Sequence, residues 1–222
     1  MPNHKITVPC VQVALDTPDW EIQKKIIQQL PKNSKLIIEA GTPLIKRYGV
    51  EIIPKIREIL KDAFIIADLK TLDIAEVEVD ISVQATADAV VVSGLASPKC
   101  IDKFIAETKK HQVYSIVDMM EVADPLSKLR ILKEIPDIVI FHRAIDAEGG
   151  VIDPRERWKL IPKIKELYKG KKNVFVATAG GLDFDACAEA IKMGTDILII
   201  GRTITGAPDV KSAAEKILSL LK

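Results

Sequence analysis

Eight short apolar runs recur along this chain, each running into a polar residue or a glycine. They are VQVALD (11–16), KLIIEAG (35–41), AFIIADLK (63–70), AVVVSG (89–94), YSIVDMM (114–120), DIVIFHRA (137–144), VFVATAGG (174–181) and DILIIGR (196–202). Runs of Val, Ile and Leu this continuous describe strands covered on both faces, as in a parallel sheet. Between them lie segments with helical spacing. In PDWEIQKKIIQQL, Trp20, Ile22, Ile26, Ile27 and Leu30 share one face and the charges take the other. PKIREIL, CIDKFIAETKK, PLSKLRILKEI, PRERWKLIPKIKELY, DFDACAEAIKM and VKSAAEKILSLL repeat the theme. Asp or Ser with a nearby Pro marks the expected helix starts, in TPD, SPK, ADP, IDP and APD.

Eight strand–helix units in 222 residues fit a closed barrel, which typically takes roughly 200–250 residues. An open doubly wound sheet would carry a glycine fingerprint after its first strand. Here that strand ends in LDTPDW, without glycine. The sequence also lacks a composition break or linker. The expected fold is therefore α/β, a (β/α)8 TIM barrel forming a single domain over residues 1–222.

A net charge of +1, from 32 basic and 31 acidic residues, argues against broad attraction to nucleic acid or membrane. Cys10, Cys100 and Cys187 are odd in number and form no CxxC pair, so neither a disulfide framework nor a zinc site is expected. The apolar stretch before Asp16 is too short for a signal peptide, and no run reaches membrane-spanning length. Cytoplasmic localisation is the expectation.

Barrel active sites lie at the carboxyl ends of the strands. Those ends carry Asp16, Glu39, Asp68 with Lys70, Gly94, Asp118, His142, Gly180–Gly181 and Gly201–Arg202. Period-two alternation points Asp68 and Lys70 the same way, puts His142 with Ile140, and turns Arg143 toward the helices. Asp16, Glu39, Asp68, Lys70 and His142 are expected to converge, with Asp73 in the turn beyond the third strand. Asp118 has two open readings, facing the site or pairing locally. His4 reads as a frayed-terminus residue and His111 as a solvent-facing one at a helix end.

The glycines of ATAGGLD and IGRTITGAPD, one pair followed by Arg202, suit a phosphate held by backbone N–H groups and a guanidinium. A phosphorylated small molecule is the expected substrate. Glu39 and Asp68, on neighbouring strands, suit a hard cation such as Mg²⁺. Lys70 raises the rival idea of a Schiff base, but Asp68 and Asp73 flank it and favour its ammonium form. A metal and a fixed ammonium together would stabilise an enediolate, with His142 as proton shuttle.

The combination of D-x-K-x-x-D on the third strand (Asp68, Lys70, Asp73), an acid ending the second, a histidine on the sixth, GG on the seventh and GR on the eighth resembles the orotidine 5′-monophosphate decarboxylase suprafamily along the whole chain. Orotidylate decarboxylases carry a catalytic Lys near the second strand's end, where this chain has Glu39. The resemblance therefore points to the Mg²⁺-dependent branch of 3-hexulose-6-phosphate synthase and 3-keto-L-gulonate-6-phosphate decarboxylase. It implies that Glu39 and Asp68 bind Mg²⁺, and that Lys70 and Asp73 contact the enediolate and substrate hydroxyls. It also implies that Asp16 holds a hydroxyl, that His142 moves protons, and that Gly180, Gly181, Gly201 and Arg202 take the phosphate. A homodimer in which Asp73 reaches the partner's site is implied as well.

Between the two activities, Ile145 occupies a position where the decarboxylase carries a further Arg, and HRAIDAEGG departs from the glutamine-bearing segment of bacterial synthases while keeping Asp146. QVALD and IADLKTLD are synthase-like. The expected activity is 3-hexulose-6-phosphate synthase, condensing formaldehyde with D-ribulose 5-phosphate or running in reverse. The decarboxylase is the alternative, and a non-catalytic sugar-phosphate binder the second. A ribulose-phosphate 3-epimerase would call for more histidines at strand ends.

Overall fold

The computed structural model describes residues 4–144, 146 and 155–221. Its strands are β1 (Cys10–Leu15), β2 (Leu36–Ala40), β3 (Ile65–Thr71), β4 (Ala89–Ser93), β5 (Tyr114–Asp118), β6 (Ile138–His142), β7 (Phe175–Ala179) and β8 (Ile197–Ile200). They pair in parallel in chain order, and β8 returns to β1 to close the barrel. The expected TIM barrel is the observed fold.

Alternation along each strand divides the apolar residues into two cores. Ala14, Ile37, Ile66, Val91, Ile116, Ile140, Ala177 and Ile199 pack together inside the barrel. Their neighbours Val13, Ile38, Ile65, Val90, Val117, Val139, Val176 and Leu198 join the helices in a larger outer core. Burial on both faces is what the near-continuous Val/Ile/Leu runs demanded.

The surrounding helices are α1 (Trp20–Gln29), α2 (Thr42–Tyr48), α3 (Ile52–Ile59), α4 (Ala75–Gln84), α5 (Pro98–His111), α6 (Pro125–Arg130), α7 (Arg155–Trp158), α8 (Ile161–Tyr168), α9 (Phe184–Lys192), α10 (Arg202–Thr205) and α11 (Val210–Leu218). Asp19, Ser97, Asp124 and Asp209 each accept a hydrogen bond from a backbone N–H in the first turn of their helix. Four of the expected start signals are thus working caps. The fifth, IDP, lies outside the described residues.

The structure corrects several sequence expectations. PRERWKLIPKIKELY is two helices, because Pro162 lacks an N–H and is tolerated only in the first turn of α8. PLSKLRILKEI is helical only as far as Arg130. Helix α4 lacks helical spacing altogether: Val77, Val79, Ile81 and Val83 alternate as strand residues would. Val79 is fully buried while Val77 and Ile81 face outward, 54% and 38% exposed.

His4 is no frayed residue, since its Nδ1 lies 2.7 Å from the buried Asp88 carboxylate, which also binds Arg57. His111 is half-buried between Asp80 and Glu107, joining α4 to α5. The three cysteines are free and buried, and burial first, then Asp196, pushes the Cys10 thiol up to about 12. No helix among the described residues is long and apolar enough to cross a membrane.

Candidate active site

The carboxyl ends of the strands open into a cavity of about 910 Å³. Asp16, Glu39, Asp68, Lys70, Asp118 and His142 line it, as do Gly180, Gly181, Gly201 and Arg202. Ile140 and His142 both reach it, as alternation required, and Arg143 is not among its lining residues. One constellation therefore gathers nine of the ten expected site residues together with Asp118.

Lys70 sits where β3 stops being regular. Ala67 pairs with Val90 and Thr71 with Val92, so four steps along β3 match only two along β4. Lys70 takes φ +48°, a left-handed conformation that a side chain normally avoids. Such strain persists where the surroundings over-determine it. Here Thr71 is tied to Glu78 of α4, and the Lys70 ammonium lies 3.0 Å from Asp68 Oδ2 and 2.7 Å from Asp118 Oδ2. The bulge, more than simple alternation, aims this ammonium across the mouth. Burial alone would lower its pKa; Asp68 and Asp118 outweigh that and raise it, so Lys70 is a permanent cation.

Asp118, which the sequence left with two readings, faces the site. It is 1% exposed, and its Oδ2 also meets His142 Nδ1 at 2.9 Å. Its Oδ1 accepts from the Met120 backbone N–H at 2.9 Å. Burial works against its charge, but the His142 and Lys70 contacts together hold its pKa well below the usual carboxylate range. A carboxylate this well satisfied fixes the imidazole by one nitrogen and leaves the other for chemistry.

The opposite wall is acidic. Glu39 and Asp68 are buried at 6% and 5% exposure. Glu39 pairs with Ile66 across β2–β3, so Asp68 is the next inward residue beyond it. Burial, then Asp68 and Asp16, push the Glu39 pKa well above its ordinary value. Burial and Asp68 raise that of Asp16. Two neutral donors steady this wall: Gln12 Nε2 donates to Glu39 Oε2 at 2.5 Å, and the Thr42 hydroxyl lies 2.8 Å from both the Oδ2 and the carbonyl oxygen of Asp68. Crowded carboxylates whose charged forms raise each other's pKa, with oxygen atoms facing one cavity, form a donor set that fits a hard divalent cation.

Glycines make room for this arrangement. A Cβ on Gly41 would lie 2.2 Å from Asp16 Oδ1, and one on Gly201 3.2 Å from Asp16 Oδ2, so the carboxylate occupies a slot between two bare backbones. Gly180, at φ +98°, has its would-be Cβ 2.3 Å from the Arg143 carbonyl. Its absent side chain is thus already explained by strand-end packing, whatever it does for a ligand. Gly94 faces no ligand: it packs on the Asp118 backbone and does not line the cavity.

Asp73 is the one expected site residue that does not line the cavity; it is exposed, between Leu72 and Ile74, themselves 60% and 61% exposed. Ile145, on which the choice between the two activities partly turned, lies outside the described residues, as do residues 147–154. Gln12 and Thr42 were missed by sequence reasoning. A glutamine inside an apolar run was the available signal for the first; nothing marked the second.

The family model described as "Orotidine 5′-phosphate decarboxylase / HUMPS family" matches residues 9–217. The bifunctional enzyme Fae/Hps of Methanocella arvoryzae is 47% identical over 224 residues, covering 99% of this chain and 56% of that protein. Its counterpart from Methanospirillum hungatei is 46% identical over 213 residues, covering 96% of this chain and 53% of that protein. The chain thus spans about half the length of the curated relatives it matches. The structure of 3-hexulose-6-phosphate synthase from Salmonella typhimurium superposes with TM-score 0.79 at 28% identity, covering 96% of this chain and 98% of that one. That of 3-keto-L-gulonate-6-phosphate decarboxylase from Vibrio cholerae gives 0.78 at 19% identity, covering 97% and 98%, and shares the fold. With its barrel and its family match extending over nearly all its length, the chain belongs to the orotidine 5′-phosphate decarboxylase / HUMPS family.

Proposed function

We propose that this chain is a Mg²⁺-dependent 3-hexulose-6-phosphate synthase, joining formaldehyde to D-ribulose 5-phosphate or cleaving the product. One observation carries the reading: a permanent ammonium, Lys70, shares the Asp118 Oδ2 atom with the His142 imidazole, beside the buried acids Glu39 and Asp68. That is equipment for making and holding an enediolate. The Fae/Hps relatives and the 28% identical synthase support the choice of substrates.

In this mechanism His142, anchored through Nδ1, takes the C1 proton of ribulose 5-phosphate at Nε2. The Lys70 ammonium balances the negative charge that develops on the substrate oxygens. C1 then attacks the carbonyl carbon of formaldehyde, and His142 returns its proton to the new alkoxide. The product is D-arabino-hex-3-ulose 6-phosphate, with no net change of protons or electrons. Asp16 orients a substrate hydroxyl, and the backbone of Gly180, Gly181 and Gly201 with Arg202 receives the phosphate. Mg²⁺, held by Glu39 and Asp68, would supply Lewis-acid stabilisation to paired substrate oxygens.

The active unit in this reading is a homodimer. Leu72 and Ile74 in the β3–α4 turn, Val77 and Ile81 on α4 and Leu95 in the turn before α5 are 38–61% exposed, apolar surface suited to a second copy. Asp73, at the centre of that turn, would enter the partner's cavity. The cytoplasm remains the proposed compartment. Consumption of formaldehyde in the presence of ribulose 5-phosphate and Mg²⁺ tests the activity. Release of CO₂ from 3-keto-L-gulonate 6-phosphate without formaldehyde consumption would overturn it in favour of the decarboxylase.

A further inference from the structure

We infer that Gln12 is a positioning residue whose task is to aim the Glu39 carboxylate into the cavity; the inference rests on the proposed metal-binding role of Glu39. Gln12 lies within the barrel at 1% exposure. Its register partners are Ile37 on β2 and Ile199 on β8, both apolar members of the inner core. Gln12 is not among the cavity-lining residues, so it is placed to act on a ligand only through another side chain. Burying a primary amide is costly unless its hydrogen-bonding groups are used. A leucine or methionine would fill this interior position without that cost, so packing alone gives no reason for a glutamine.

Glu39 gives the reason. The Gln12 amide donates to Glu39 Oε2 at 2.5 Å, and this is the side-chain hydrogen bond the structure gives Glu39 among the described residues. Glu39 needs such a tether. Its side chain rotates about three torsions, and the neighbouring Asp68 and Asp16 charges repel it. Left alone, the carboxylate would relax away from the acids with which it must cooperate. Gln12 stands two residues before Ala14, the register partner of Glu39, so it holds Oε2 from the side of the barrel floor and leaves the other oxygen for a ligand. On the α2 side, Thr42 Oγ1 lies 2.8 Å from Asp68 Oδ2 and 2.8 Å from the Asp68 carbonyl oxygen, with one proton to share between them. Pre-oriented oxygens of this kind are what distinguish a metal site from a mere concentration of negative charge.

The test is a double-mutant cycle on the full chain, using Gln12→Met, Glu39→Gln and their combination. Binding of Mn²⁺, standing in for Mg²⁺, is followed by electron paramagnetic resonance without substrate, alongside thermal melting and kcat/KM. Q12M is expected to melt at or above the wild-type temperature yet bind Mn²⁺ about 10–100-fold more weakly. In the E39Q background it is expected to change Mn²⁺ affinity no further. Wild-type affinity in Q12M, or additive losses in the double variant, would overturn the inference. Should Q12M fail to fold, Gln12→Asn keeps the amide but withdraws its reach, and the same loss of affinity is expected. Failure of both to fold would make Gln12 structural and end the proposal. If the wild type binds no Mn²⁺, the metal reading itself fails; kcat/KM of Q12M alone then still reports on Gln12, and a wild-type value there counts against it.

Discussion

Lys70 on β3 and Asp118 on β5 meet at 2.7 Å over the end of β4, the strand that separates them. The pair ties the two walls of the cavity together and sets the charge of both partners. Because the same Asp118 oxygen holds His142, the Lys70 ammonium and the His142 imidazole are positioned by a single carboxylate.

Asp118→Asn is therefore expected to disable both partners, lowering kcat about 10²-fold or more, the scale of general acid–base catalysis. Steady-state formaldehyde consumption measures this. The variant also has a pH signature. Asp118 has a depressed pKa in the folded protein, so its stabilisation is present above the unfolded carboxylate value near about pH 4 and is lost only as pH falls through the depressed one. The gap in Tm between wild type and variant is expected to stay constant above about pH 4 and to close below it.

Glu39 has the opposite sign. Its raised pKa means that the folded protein binds the proton more tightly than the unfolded chain, so stability falls as pH rises through this interval. In chelator at neutral pH, Glu39→Gln is expected to melt above the wild type, with the difference vanishing below about pH 4, where both states are protonated. The same substitution should abolish turnover. A lower Tm for Glu39→Gln would contradict the picture of crowded, mutually repelling acids.

Removal of divalent metal by EDTA is expected to abolish formaldehyde consumption, and Mg²⁺ to restore it. Lys70, kept as ammonium by Asp68 and Asp118, should not be trapped by borohydride in the presence of substrate. Lys70→Met should lose about 10²–10³-fold in kcat, as when an oriented charge-stabilising donor is removed. A borohydride adduct on Lys70, seen by mass spectrometry, would replace this mechanism with Schiff-base chemistry.

Gly41→Ala probes the Asp16 slot, since the new methyl would lie 2.2 Å from Asp16 Oδ1 and 2.8 Å from the Leu15 carbonyl. Asp16 must move, and kcat/KM for ribulose 5-phosphate is expected to fall by up to about 10²-fold, with a stability loss of about 1–3 kcal/mol. Kinetics and denaturant titration read the two effects separately.

The shared-site dimer predicts complementation. Lys70→Met and Asp73→Asn should each be inactive. After subunit exchange, the mixture should recover about a quarter of wild-type activity, the share of intact sites that random pairing creates. Ile74→Lys should give a monomer by sedimentation. An active monomer would remove Asp73 from the site.

Local sequence sufficed for the barrel because each strand must be apolar on both faces, a demand that VVV, LII or ILII satisfies without reference to distant residues. It also sufficed for the register of inward and outward residues, since alternation is a property of the extended backbone itself. Asp16, Glu39, Asp68 and His142 were legible for that reason. Helix α4 was not, because its alternating Val and Ile carry the strand period and its helical state follows from the parallel connection between β3 and β4. What only the folded molecule decided is which charges meet. The bulge that redirects Lys70 to Asp118, the slot that two glycines open for Asp16, and the amide of Gln12 beneath Glu39 all join residues from different strands or the loops that follow them. Hydrogen bonds and ion pairs act over about 3 Å, and only closure of the barrel brings these groups within that distance.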